Sequence, residues 1–87
     1  MTDEKTSLFN VVDINTELVR KTLMEVYSAL EERGYNPVNQ IVGYLISGDP
    51  GYISSYKDAR NKILELDRAK IVEILLKEFQ KVNKWNI

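Results

Sequence analysis

The chain contains no cysteine and no histidine. Disulfides are therefore excluded, and so are metal sites built on thiolate or imidazole. Nucleophilic catalysis of the Ser–His or Cys–His kind cannot be assembled either. No Walker A loop and no GxGxxG fingerprint is present. The segment Gly48-Asp49-Pro50-Gly51 is glycine-rich but lacks a phosphate-binding lysine, and it reads as a turn. Glu31 and Glu32 are a carboxylate pair by sequence, but adjacent helix positions point in different directions. No catalytic residue, cofactor or metal site is expected. No apolar run approaches the ~20 residues a membrane helix needs. Residues 1–7 are polar and acidic and carry no apolar signal segment, so a cytoplasmic protein is expected.

What the chain does have is 87 residues with a formal charge of -1. That length makes one domain, which hides only about 60% of its unfolded surface. A small fold without covalent staples often gains further burial from a partner chain, so a homodimer is the expectation. The charge is uneven. Residues 1–53 hold eight acidic and four basic side chains, and residues 54–87 hold five acidic and eight basic.

Hydrophobic spacing predicts an all-α fold of about four helices. Residues 1–14 read as a mobile tail with an apolar docking segment, Leu8, Phe9, Val11, Val12 and Ile14, and residues 15–84 as the helical domain. Asn15 or Thr16 is a candidate N-cap for a first helix, with Glu17 at the positive end of its dipole. Leu18, Val19, Thr22, Leu23, Val26, Tyr27 and Leu30 then recur at three- and four-residue spacing. Gly34 stands where a helix should stop. Asn36 followed by Pro37 is a strong start for a second helix. Val38, Ile41, Val42, Tyr44, Leu45 and Ile46 surround that helix, which predicts burial on most sides.

Gly43 in the middle of the second helix costs about 1 kcal/mol relative to alanine. Close approach of another backbone would offset it, so Val38, Ile41, Val42, Gly43, Tyr44 and Leu45 form the candidate interface. Pro50-Gly51 fits the central pair of a type II turn. A third helix is predicted from Ser55 to Leu66, with Ser55 and Asp58 as a loose capping box and Ala59, Ile63 and Leu66 on one face. Asp67 would cap a fourth, with Ile71, Val72, Leu75, Leu76, Phe79 and Val82 as its apolar positions. The third and fourth could also run together as one bent helix.

Two binding chemistries are open from the residues. Lys57, Arg60, Lys62, Arg68 and Lys70 surround a helix–turn–helix spacing and could face phosphates, with Tyr52 and Tyr56 stacking on bases. Acidic neighbours Asp58, Glu65 and Asp67 interrupt that surface, which ranks a small nucleic-acid-binding regulator second. The tail hydroxyls Thr2, Thr6 and Ser7 are the other possibility. Phosphate on one of them would add about -1.5 to -2 charges to an already acidic segment.

The block at residues 34–53, GYNPVNQIVGYLISGDPGYI, resembles the signature of the IreB family of small regulatory phosphoproteins from Gram-positive bacteria. The similarity continues through Asp58-Ala59-Arg60-Asn61 and into the fourth helix. The resemblance implies a compact helical homodimer, intertwined or closely packed, with no enzymatic activity. It implies a substrate of a membrane Ser/Thr kinase with extracellular PASTA domains, opposed by a cognate phosphatase. It further implies negative regulation of cephalosporin resistance through cell-envelope stress signalling, by binding a downstream protein not yet identified. The family's phosphorylated threonines precede a Phe-Asn pair, here Phe9-Asn10. Thr6 matches the nearer one, and Thr2 matches the farther one if Lys5 is an inserted residue.

Overall fold

The computed structural model describes the backbone of residues 2–83 and the side chains of residues 14–83. It is all-helical over that range. Four α-helices follow in order: α1 (Thr2–Glu32), α2 (Pro37–Ser47), α3 (Ala59–Leu64) and α4 (Arg68–Asn83). Two 3-10 turns, Pro50–Tyr52 and Tyr56–Asp58, lie between α2 and α3. α1 is the spine, and α2, α3 and α4 all pack on it.

α1 starts well before the cap expected at Asn15 or Thr16. No glycine or proline stands between Thr2 and Arg33. Capping residues stop nothing in a chain that is already helical. The side chains of the expected docking segment from Leu8 to Val12 lie outside the described residues. At the other end the prediction holds. Gly34 adopts φ 91°, its N–H donates to the Glu31 carbonyl, and the Tyr35 N–H donates to the Leu30 carbonyl. These two bonds make a Schellman stop.

α2 is built as the sequence predicts. The Asn36 side-chain oxygen accepts from the Asn39 N–H at 3.1 Å, and Pro37 takes the first turn. Gly48, at φ 75°, closes the helix with its N–H on the Tyr44 carbonyl. The burial differs from expectation. Only Pro37, Ile41 and Tyr44 are buried, whereas Val38, Val42 and Ile46 are exposed. α2 meets α1 on one side and the Pro50–Tyr52 turn on another, and the side left over stays exposed however apolar it is.

The Pro50-Gly51 turn is a 3-10 turn rather than type II. A type II turn needs positive φ at Gly51, and the positive-φ glycines of the described residues are Gly34 and Gly48. The Asp49 carboxylate decides it by accepting from the Gly51 N–H at 2.9 Å.

The expected helix from Ser55 is shorter. α3 begins at Ala59, after a turn in which Lys57 (φ 50°) and Asp58 (φ 65°) are left-handed. Ser55 makes no side-chain cap bond. Ile53 and Ala59 are both fully buried, and this tight reversal lets both reach the core. Residues 65–67 then separate α3 from α4, so the two do not fuse.

The core joins Val19, Val26, Ala29 and Leu30 of α1 to Ile41 and Tyr44 of α2, Ala59 and Ile63 of α3, and Ile71 and Ile74 of α4, with Ile53 from the connecting segment. Of the six apolar positions expected to line α4, only Ile71 is buried; Ile74 is the second inward residue.

Candidate functional surface

The side chains left outside this core are unusually apolar. On α4, Val72, Leu75, Leu76, Phe79 and Val82 recur at helical spacing and are all exposed, Val82 to 77%. On α2, Val38, Val42 and Ile46 form a second exposed row, with Ile46 at 80%. α1 adds Leu18 and Tyr27. Between the three helices runs a groove of about 250 Å³, floored by Leu23, Ile41 and Leu45 and rimmed by Tyr27, Val38, Val42 and Leu75. Soluble monomers rarely expose apolar patches beyond a few hundred Å², and larger ones mark contact sites. Ten large apolar side chains on three helices are left exposed in this way.

The candidate interface residues divide across this geometry. Val38 and Val42 face outward, and Leu45 is partly buried in the groove. Ile41 and Tyr44 belong to the chain's own core. Gly43 faces the ring of Tyr52: a Cβ built there would lie 2.5 Å from Tyr52 Cδ1. Within the chain, the close neighbour that the glycine accommodates is an aromatic ring. The α4 row was not anticipated as a surface. Its signal is in the sequence, because Ile71, Val72, Ile74, Leu75 and Leu76 are too many apolar residues for one stripe, and a single packed neighbour covers only part of them.

The basic residues considered for phosphate contact are already engaged. Lys57 pairs with Glu32 at 2.8 Å, Lys62 with Glu25 at 3.5 Å and Lys70 with Glu73 at 3.4 Å. Arg60 Nε donates to the Ile53 carbonyl, and Arg68 Nη1 donates to the Leu45 carbonyl at the end of α2. Each of the five already has an acceptor within the chain. Glu32 is held below the usual carboxylate range, first by the hydrogen bond from Lys57 and then by that from Tyr56. The same contact raises Lys57. Glu73 is lowered chiefly by Lys77, and Arg20 is raised chiefly by Glu17. All these groups face solvent, where such pairs contribute little to stability.

Among the described residues there is no cluster of acidic side chains that could hold a metal ion. No described helix is long and apolar enough to cross a membrane. Thr2 and Thr6 fall within α1 by backbone, and their side chains lie outside the described residues.

These features define a small all-helical domain with a broad apolar face and surface charges largely paired within the chain. The chain belongs to the IreB family of regulatory phosphoproteins, whose family model matches residues 4–81. The resemblance carried by residues 34–53 is thereby shown, and the matched range takes in Thr6 while Thr2 precedes it.

Proposed function

We propose that this protein is a non-enzymatic, phosphorylation-controlled binding protein. In this reading it is a cytoplasmic substrate of a PASTA-type Ser/Thr kinase and its cognate phosphatase, modified first at Thr6 and second at Thr2. It acts as a negative regulator of cephalosporin resistance in cell-envelope stress signalling, by contact with a downstream protein. The observation that carries the reading is membership of a regulatory phosphoprotein family over residues 4–81. The physical chemistry supports it at two points. The residues offer apolar contact area rather than a set of convergent catalytic groups, which suits binding. Thr2 is also the first residue of α1, where added negative charge meets the positive end of the helix dipole.

We further propose that the apolar face of α2 and α4 pairs with a second copy of the chain. The exposed rows Val38, Val42 and Ile46 on α2 and Val72, Leu75, Leu76, Phe79 and Val82 on α4 supply the apolar side chains for such a contact. The regulatory claim is tested in a strain lacking the protein, complemented with wild type or Thr6→Ala. Cephalosporin susceptibility should differ between the two. Equal susceptibility, with both proteins present at equal levels, would remove Thr6 from the mechanism.

A further inference from the structure

Lys57 and Asp58 are the two described non-glycine residues with positive φ, and they are adjacent. Side chains adopt this region under strain, and strain persists only where the surroundings enforce it. The local sequence points elsewhere, since Ser55 and Asp58 have the spacing of a helix start. Burial of Ile53 and Ala59 on the flanks of the observed turn forces the reversal, Asn61 Nδ2 donates to Asp58 within it, and one carboxylate ties its side chains to α1. Tyr56 Oη donates to Glu32 Oε2 at 3.1 Å, and Lys57 Nζ donates to Glu32 Oε1 at 2.8 Å. The Tyr56 ring lies under the Arg33 guanidinium at 5.5 Å and the Lys57 ammonium at 5.8 Å.

The flanks are fixed independently. Ile53 and Ala59 are fully buried, Ser54 N–H donates to Gln40 Oε1, and Arg60 holds the Ile53 carbonyl. Nothing in the 3-10 turn itself is buried. Tyr56 is half-buried and packs on the edge of the core, so breaking the Glu32 contacts frees at most this one ring and requires no global unfolding.

We infer that residues 55–58 are a strained latch, with the Glu32 carboxylate on the last turn of α1 as its catch. Closed, the latch ties α1 to the start of α3 through solvent-facing bonds. Open, Tyr56 and Lys57 leave Glu32, and residues 57 and 58 relax to negative φ. The device is independent of the proposed function.

The test is amide hydrogen exchange and nuclear Overhauser spectroscopy on the full chain. In wild type, residues 57 and 58 should show the strong intraresidue HN–Hα effect of positive φ. Glu32→Ala should weaken it and lower protection of the Asp58 and Ala59 amides about threefold or more, as expected on losing one exposed ion pair and one exposed hydrogen bond. Glu25→Ala, which breaks a similar surface pair without a strained turn, should leave these amides unchanged. Asp58→Gly relieves the strain at φ 65° but also removes the acceptor of the Asn61 side chain, so its protection should be higher than that of Asn61→Ala, which loses the same bond without relief. The inference is overturned if Glu32→Ala leaves residues 57 and 58 as they were. It is equally overturned if exchange rises uniformly through Val26, Ile63 and Ile71, or if Asp58→Gly is no better protected than Asn61→Ala.

Discussion

Gly43 separates two explanations of the same residue, contact with Tyr52 or contact with a second chain. Alanine at an exposed helix interior would stabilise by about 1 kcal/mol relative to glycine. Here its Cβ would meet Tyr52 Cδ1, Cε1 and Cγ at 2.5–3.0 Å. The base of the ring is among the clashing atoms, so the whole ring must swing out. Tyr52 is 51% exposed; a fully buried tyrosine hides about 150–250 Å², so roughly 100 Å² is at stake. At ~25 cal/mol/Å² that is at most about 2.5 kcal/mol, and about 1 kcal/mol if the displaced ring keeps half its contacts. Gly43→Ala should therefore be neutral or destabilising by up to about 1.5 kcal/mol in the wild-type background. In a Tyr52→Ala background the same substitution should stabilise by about 1 kcal/mol. Urea unfolding of the four proteins gives the coupling directly. If Gly43→Ala has the same effect in both backgrounds, within about 0.5 kcal/mol, the ring contact is not what the glycine serves. An effect that scales with protein concentration instead would place Gly43 at a subunit contact.

Leu30 is fully buried where α1 meets the other helices, and Leu30→Ala should cost about 2–5 kcal/mol by urea unfolding. Asn36→Ala removes the cap on α2 and should cost about 1 kcal/mol. Leu76→Glu, at a side chain 59% exposed on α4, should leave the fold intact and convert the proposed dimer to a monomer by light scattering; a monomeric wild type at micromolar concentration would refute the dimer. Glu32 and Glu73 have depressed pKa values in the fold, so they bind fewer protons folded than unfolded at a given acidic pH. Their stabilisation is complete above the ordinary glutamate range and is lost as pH falls through their lower folded values. The urea midpoint should be flat near neutrality, decline in that acidic window, and decline less in Glu32→Gln.

The parts of the fold that were legible in the sequence are those fixed by local chemistry. Asn36-Pro37 starts α2 because a side-chain acceptor and a missing donor suit a helix N-terminus wherever it stands. Gly34 and Gly48 end helices because left-handed φ favours glycine. The misses come from tertiary constraints. Lys57 and Asp58 are left-handed because Ile53 and Ala59 must both reach the core and Glu32 holds the turn between them, and no local propensity records that. Asn15 and Thr16 resemble caps, but the chain before them contains nothing that stops a helix. Spacing marked Val72, Leu75 and Leu76 as apolar, yet it could not tell an inward row from an outward one. Spacing likewise does not separate Ile41 and Tyr44, which join the chain's own core, from Val38 and Val42, which are exposed. Of the expected modified residues, the sequence supplies the hydroxyls, and only the family resemblance ranks Thr6 above Thr2.

The most direct test of phosphorylation-controlled binding is chemical. The full chain is incubated with the catalytic domain of a PASTA-type kinase and ATP, and phosphate is mapped by peptide mass spectrometry in wild type and Thr6→Ala. Phosphate on Thr6, with a smaller amount on Thr2 and loss of the main site in the variant, is the predicted result. An unlabelled chain, or label confined to α2, α3 or α4, would contradict it.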